Sequence, residues 1–213
     1  MPTRHPPDPI QAPANPRPRV GQEGVLRVAR THFLADGFAA TSMQAIADDV
    51  GLTKAALYYH FQDKDDLFAA VVGAEMADMH SAVERVLEGH GPLRDRLAAT
   101  ATLILRTKAG DIGRLMTDMQ TCLSPARLAA IKADQRMPEE TLAPHLRRAV
   151  DAGELAADLD PSLLATFFFG LVFTQVSIRH GTAVVTAPDA VTNRPPQEVG
   201  AAIARLFLTG AGS

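Results

Sequence analysis

The chain has little of several things, and each scarcity removes a class of function. A single cysteine, Cys122, in 213 residues excludes an intramolecular disulfide and any zinc site built on several thiolates. No H-x-x-x-H or Cys/His cluster replaces them, so no metal is expected; His80 and His145 stand apart in the sequence. There is no tryptophan and there are only two tyrosines. The longest apolar run, 163–178, is interrupted by Thr166, Thr174, Gln175 and Ser177, too short and too polar for a membrane span. The N-terminus has no apolar leader, which points to the cytoplasm. Neither a glycine-rich phosphate loop nor a nucleophile–base spacing appears, so no cofactor is expected and an enzyme on a helical scaffold is disfavoured. Strand-period alternation persists nowhere; the stretch 183–187, which alternates briefly, is read as loop. Charge of one sign is missing too. The formal net charge is −3, and residues 1–70 carry seven Lys/Arg against eight Asp/Glu. Nothing global favours nucleic acid, whose affinity is normally dominated by phosphate attraction.

What is present is a helical pattern. Residues 1–19 hold seven of the fifteen prolines and almost no large apolar groups, the composition of a disordered tail. Arg4, Arg17 and Arg19 make it basic, so it could reach DNA, although a solvated tail is the plainer reading. An amphipathic helix follows over about 20–35, with Gly37 placed to end it in a left-handed cap. Thr41 and Gln44 form the T-x-x-Q pattern of a capping box, opening a second helix with Ile46, Ala47 and Val50 on one stripe. Gly51 supplies a turn, Thr53 caps a third helix through Phe61, and Asp63 caps a fourth that runs toward the break at 89–92. Further helices are predicted at about 93–108, 111–123, 125–136, 138–152, 161–180 and 195–208, with prolines at or near several starts. The fold class is all-α, with about nine helices.

Between Thr41 and Leu67 the layout is two short helices joined by a glycine turn, a helix-turn-helix whose second helix enters a DNA major groove. That second helix starts Thr53-Lys54-Ala55-Ala56. The small residues allow close approach, and alanine methyls can meet thymine methyls. Lys54 reaches a base or phosphate, Tyr58 and Tyr59 offer hydroxyls one turn on, and His60 adds a pH-sensitive group. Leu57 and Phe61 turn inward. Lys64 lies in the first turn of the next helix, where backbone N–H groups and an ammonium together favour an anion.

The run DGFAATSMQAIADDVGLTKAALYYHFQDKDDLF resembles the DNA-binding domain of the TetR family of transcriptional regulators (TetR/AcrR-like). It matches through Gly37-Phe38, Thr41-Ser42, Ile46-Ala47, Gly51, Leu57-Tyr58, Phe61, Lys64 and Leu67. The resemblance implies a reading domain at 20–67 and a regulatory and dimerisation domain at 68–213. It makes Lys54–His60 the recognition helix, with Lys54 and Tyr59 choosing sequence and Tyr58 and Lys64 holding phosphates. Met43 and Gln44 face DNA at the start of the preceding helix.

The 163–178 segment is apolar around nearly its whole circumference, so it is expected to be buried on more than one face, with the final helix as its companion. The family implies that these two helices form a four-helix homodimer interface, here Phe167, Leu171, Thr174, Ile203, Leu206 and Phe207. It also implies a ligand pocket, for which Met76, Met79, His80, Leu103, Met116, Met119, Gln120, Cys122, Phe168 and Gln175 are candidates. The methionines suit an adaptable apolar wall for an apolar small molecule; for each residue taken singly, plain core is the simpler reading. Cys122 is expected to be a buried small hydrophobe. The function expected is a ligand-responsive repressor that releases an inverted-repeat operator when its ligand binds; an activator or accessory factor on the same scaffold is the alternative.

Overall fold

The computed structural model describes residues 21–106, 109–134, 138–179, 181 and 187–211, and of these gives the backbone alone for 109–114, 116, 132–134, 138, 139, 191 and 211. The basic tail, the stretch 182–186 and the Met116 side chain therefore lie outside the described residues. Among the described residues every regular element is helical: α1 Gln22–Ala40, α2 Met43–Val50, α3 Lys54–His60, α4 Lys64–Leu87, α5 Leu93–Arg106, α6 Ala109–Cys122, α7 Pro125–Asp134, α8 Pro138–Asp151, α9 Pro161–Arg179, α10 Asp189–Thr192 and α11 Pro196–Ala211. The all-α reading holds, and the short α10 falls in a stretch expected to be loop.

Local chemistry sets the boundaries. Gly37, at φ 81° and ψ 166°, breaks α1 where a cap was expected, but its ψ is extended rather than left-handed helical, and one further turn follows. Thr41 is not the cap of α2. It is buried, and its hydroxyl donates back to the Gly37 carbonyl at 2.8 Å. Ser42 caps instead, accepting from the Ala45 N–H at 3.1 Å, while Gln44 bonds forward to Asp48 rather than back. Gly51 takes the left-handed conformation (φ 75°, ψ 25°), with Leu52 N–H on Ala47 O and Gly51 N–H on Asp48 O. That pair of bonds is a Schellman stop, which needs a residue tolerant of positive φ.

Two apolar clusters carry the packing. The first gathers α1, α2 and α3 around Phe33, Ile46, Leu57 and Phe61, with Leu67, Phe68, Val71 and Val72 of α4. Each such side chain contributes about 1.5–3 kcal/mol on burial. Leu115 and Met119 of α6, Leu123 just after it and Ile131 of α7 join the same cluster. The head is thus welded to the regulatory helices, and α4 runs unbroken through the expected boundary at 67/68. The second cluster joins the C-terminal half of α4 to α5, α8, α9 and α11.

The main neighbour of α11 is α5, and that of α9 is α8. A Cβ at Gly200 would fall 2.7 Å from the Ala98 carbonyl, so glycine permits the close α5–α11 crossing. The contact between α9 and α11 is narrower and centres on the Phe168 and Phe207 rings, 5.5 Å apart. α9 is long and apolar enough, by length and composition, to cross a bilayer. Here it seats Leu164, Ala165, Phe168, Phe169 and Val172 in the protein's own core.

Candidate nucleic-acid interface and cleft

Helical periodicity divides α3 cleanly. Leu57 is fully buried, and Phe61 follows it into the core one turn later. Lys54, Ala55, Tyr58, Tyr59 and His60 face solvent, Tyr59 with 87% of its surface free. Thr53 is exposed and caps α3 through the Ala56 N–H at 3.1 Å. The Lys54 ammonium lies 5.9 Å from the centre of the Tyr58 ring, one helical turn away. Two aromatic rings are left largely in water, where the hydrophobic effect disfavours them. Gln44 is exposed beside it, at the start of α2.

Two expected DNA contacts move elsewhere. Met43 is only 6% exposed and belongs to the head's core, because the register of α2 puts it on the same stripe as Ile46, Ala47 and Val50. Lys64 spends its three ammonium protons on the carbonyls of Phe38 (2.8 Å), Thr41 (3.1 Å) and Ala39 (3.2 Å), with the Phe38 ring 4.4 Å below. These carbonyls line the turn after Gly37, so the lysine ties α4 to the α1–α2 corner and has no proton left for a phosphate. The N-terminus of α4 does not favour an anion either: Asp63 accepts the Asp66 N–H at 2.7 Å, and Asp65 and Asp66 crowd the first turn.

Among the described residues the regulatory half reaches the head through polar contacts that sequence reasoning missed, one of them the Arg30–Glu75 ion pair at 2.6 Å between α1 and α4. Asp118 of α6 accepts from the Phe38 N–H at 3.0 Å, on the corner that Lys64 holds. Arg127 of α7 donates from Nη2 to Asp63 Oδ1 and Oδ2 at 3.1 and 3.2 Å, and from Nη1 to Asp66 Oδ1 at 3.4 Å. One signal for Arg127 was available. A cation two residues into a helix opposes the helix dipole and calls for a nearby anion.

The expected pocket residues do not converge. Met76 and His80, four apart on α4, line an open cleft of about 760 Å³ between α4 and α7, with Asp66, Ala69, Ala70, Gly73, Arg127 and Ile131. The His80 Nε2 lies 2.9 Å from the Thr141 hydroxyl. Met79, a quarter-turn round α4, packs with Leu103 against the second cluster, and Phe168 is its fully buried centre. Met119 is core of the first cluster, and Gln120 is exposed. Cys122 is exposed at the end of α6 rather than buried. Gln175 lines a different groove, between α9 and α11.

That groove borders an apolar face. Leu163, Phe167 and Leu171, spaced four apart, stand half-exposed on α9, with Leu206 of α11 at 65% and Phe167 at 56%. Thr174 shares the face. Ile203 and Phe207 do not project from it, because they are buried in the chain's own core; Ile203 reaches only the floor of the groove. Among the described residues no group of His, Cys, Asp and Glu could hold a metal ion.

Comparison with known proteins covers both halves. A family model described as "Bacterial regulatory proteins, tetR family" matches residues 25–71, and one described as "Tetracyclin repressor-like, C-terminal domain" matches 87–194, just over half of the chain. The transcriptional repressor AcnR of Corynebacterium glutamicum is 26% identical over 157 residues, 72% of this chain and 79% of AcnR. The transcriptional activator FasR of Mycolicibacterium smegmatis is 35% identical over 86 residues, 40% of this chain and only 39% of FasR. In fold, a TetR-family regulator from Mesorhizobium loti superposes with a TM-score of 0.72 at 20% identity, covering 90% of this chain and 96% of its own.

Proposed function

Because the chain belongs to the tetR family of bacterial regulatory proteins, we propose that it is a homodimeric, ligand-responsive repressor that reads an inverted-repeat operator in the cytoplasm. The observation that carries this is the polarity of α3, core on one side and a bare reading face of Lys54, Ala55, Tyr58, Tyr59 and His60 on the other. Lys54 and Tyr59 choose sequence; Tyr58, Thr53 and Gln44 grip the backbone around them. With Lys64 committed to carbonyls, the described head offers little charge for phosphates. A second, linked head supplies the missing affinity without further charge.

The occupant proposed for the apolar face of α9 and α11 is a second copy of this chain. Its support is the run of half-exposed Leu163, Phe167, Leu171 and Leu206, since monomers rarely leave a contiguous apolar surface bare. A two-fold axis through that face makes a self-complementary contact, and this reading requires the axis to set two α3 helices on one side. The cleft between α4 and α7 is the proposed effector site: it is concave, apolar along its floor, and touches the contacts that hold the head.

Selection of bound sequences from a random DNA pool tests this reading. The expected result is an inverted repeat with half-site centres about 34–36 Å apart or a multiple of that. A pool that converges on no sequence, or on a single half-site, overturns it. Relatives are named both as repressor and as activator, and the operator's position relative to the promoter separates the two.

A further inference from the structure

The cleft has a direction. Asp66, Ala69, Ala70, Gly73, Met76, Ala77, His80 and Ser81 make one stripe along α4, and Arg127, Ala130 and Ile131 make the facing stripe on α7. From Asp66 to His80 is fourteen residues, about 21 Å of helix at 1.5 Å per residue. Alanines and glycine keep the floor low, Met76 and Ile131 make it apolar, and among its described lining residues the arginine stands at the end nearest the reading head. A long, thin apolar molecule fits that shape, and its polar end meets Arg127.

The arginine is the movable partner in its ion pairs. Asp63 and Asp66 are satisfied without it: Asp63 Oδ1 accepts the Asp66 N–H, and Asp66 Oδ2 accepts the Gln62 N–H at 3.0 Å. The partners of Arg127 among the described residues are those two carboxylates alone, one of them at 3.4 Å, and its side chain is about one-third exposed (32%). Exposed, long pairs of this kind are weak and screened by solvent. A carboxylate carried into the cleft on an apolar chain offers the guanidinium fork two parallel bonds to one partner, where it now divides itself between two carboxylates.

We infer that the cleft binds an elongated apolar ligand with a carboxylate head, and that this head takes Arg127 from Asp63 and Asp66, releasing the polar pin between α7 and the reading head. The inference rests on the effector site proposed above and specifies its ligand class and its switch. The carboxylates left behind stay as helix caps, so α4 keeps its fold while α7 loses its ion pairs to the first turn and keeps the apolar contact of Ile131. Asp118 on Phe38 and Glu75 on Arg30 remain as polar ties to the head. The exchange biases DNA binding only through the ligand's preference for the unpinned state.

The test uses the full-length protein with three probes of equal chain length, decanoate, decanol and decylamine, each below its micellar concentration. Binding is read from the rise in melting temperature, which needs no DNA, and release from the weakening of the complex with the selected operator. Decanoate is expected to stabilise the protein most and to displace DNA. Arg127→Gln is expected to bind decanoate about tenfold or more weakly, the effect of losing a hydrogen-bonded charge partner. It should keep its affinity for decanol, and its weaker operator complex should no longer answer to decanoate. Arg127→Lys keeps the charge without the fork and falls between, which secures the comparison if the glutamine variant fails to fold. Equal binding of decanoate and decanol, a preference for decylamine, or unchanged decanoate affinity in both variants overturns the arginine exchange while sparing the cleft as effector site. If no decyl probe shifts the melting temperature, both readings fall.

Discussion

Two faces of this chain leave in water what a folded protein normally covers, and they differ in what they leave. The α3 face presents two phenol rings, a lysine and an imidazole; the α9–α11 face presents Leu163, Phe167, Leu171 and Leu206 with Thr174. The first can make hydrogen bonds from every large side chain, so its partner is polar and patterned. The second has almost no hydrogen-bonding capacity, so its partner is apolar, and by symmetry it can be itself. The contrast teaches that exposure alone identifies a site, while the polarity of what is exposed identifies its partner. In the proposed dimer the two faces work together: a head with few free cations gains affinity from the coupling that the other face would supply.

The largest expected effect comes from breaking the apolar face. Phe167→Asp removes a ring worth about 1.5–3 kcal/mol of burial and sets a charge in its place. An isologous contact feels the change twice, so the dimer constant is expected to weaken by at least about 100-fold. Sedimentation should show monomer, and operator affinity should collapse while the thermal unfolding of the monomer changes little. A dimer that survives with operator binding intact would remove the division of labour between the faces.

A smaller, sharper effect separates two lysines that look equivalent in the motif, each standing just after a cap. Lys64→Ala deletes three charge-assisted bonds to carbonyls and is expected to lower stability by about 1.5–3 kcal/mol in urea unfolding, with the salt dependence of DNA binding unchanged. Lys54→Ala is expected to leave stability within about 0.5 kcal/mol. It should reduce the slope of log affinity against log salt by about one for each reading head, and change which sequences are selected. The reverse assignment of these two phenotypes would return Lys64 to the DNA face.

Much of the head was legible because its determinants are local. Leu57 and Phe61 are four apart, Gly51 follows a short apolar stripe, and Thr53 and Asp63 stand one residue before helices they do cap. Where reading failed, the partner was remote in sequence. The carbonyls that hold Lys64 lie 23 to 26 residues away, and no spacing rule connects them. Met43 failed although its signal was local: it stands three and four residues before Ile46 and Ala47, on the apolar stripe already read for α2, and the family pattern was followed instead. In the regulatory half, residue type was the guide and orientation was missing. Methionines suit a pocket wall, yet Met76, Met79 and Met119 point into three different environments. Arg127 was passed over because its role exists only where α7 meets the start of α4.

The smallest expected effect tests whether the regulatory core responds to pH apart from both faces. His145 of α8 is buried, and its Nδ1 receives N–H groups from Arg148 at 2.9 Å and Arg96 at 3.2 Å. Only a neutral ring with its proton on Nε2 can accept both. Burial first, then the charges of Arg148 and Arg96, lower its pKa below the ordinary 6.5, against a weaker upward pull from Glu84. The unfolded chain therefore takes up this proton more readily than the folded one. The stability that the neutral ring contributes is fully present above the ordinary value, is lost as pH falls below it, and levels off under the depressed folded value. Urea midpoints taken from about pH 7.5 to about pH 5 should fall more steeply for the wild type than for His145→Gln, whose amide oxygen accepts the same arginines without titrating. At constant pH near neutrality the variant should bind operator as the wild type does, since His145 lies on neither face. If the two proteins lose stability in parallel, the imidazole is not the group that titrates.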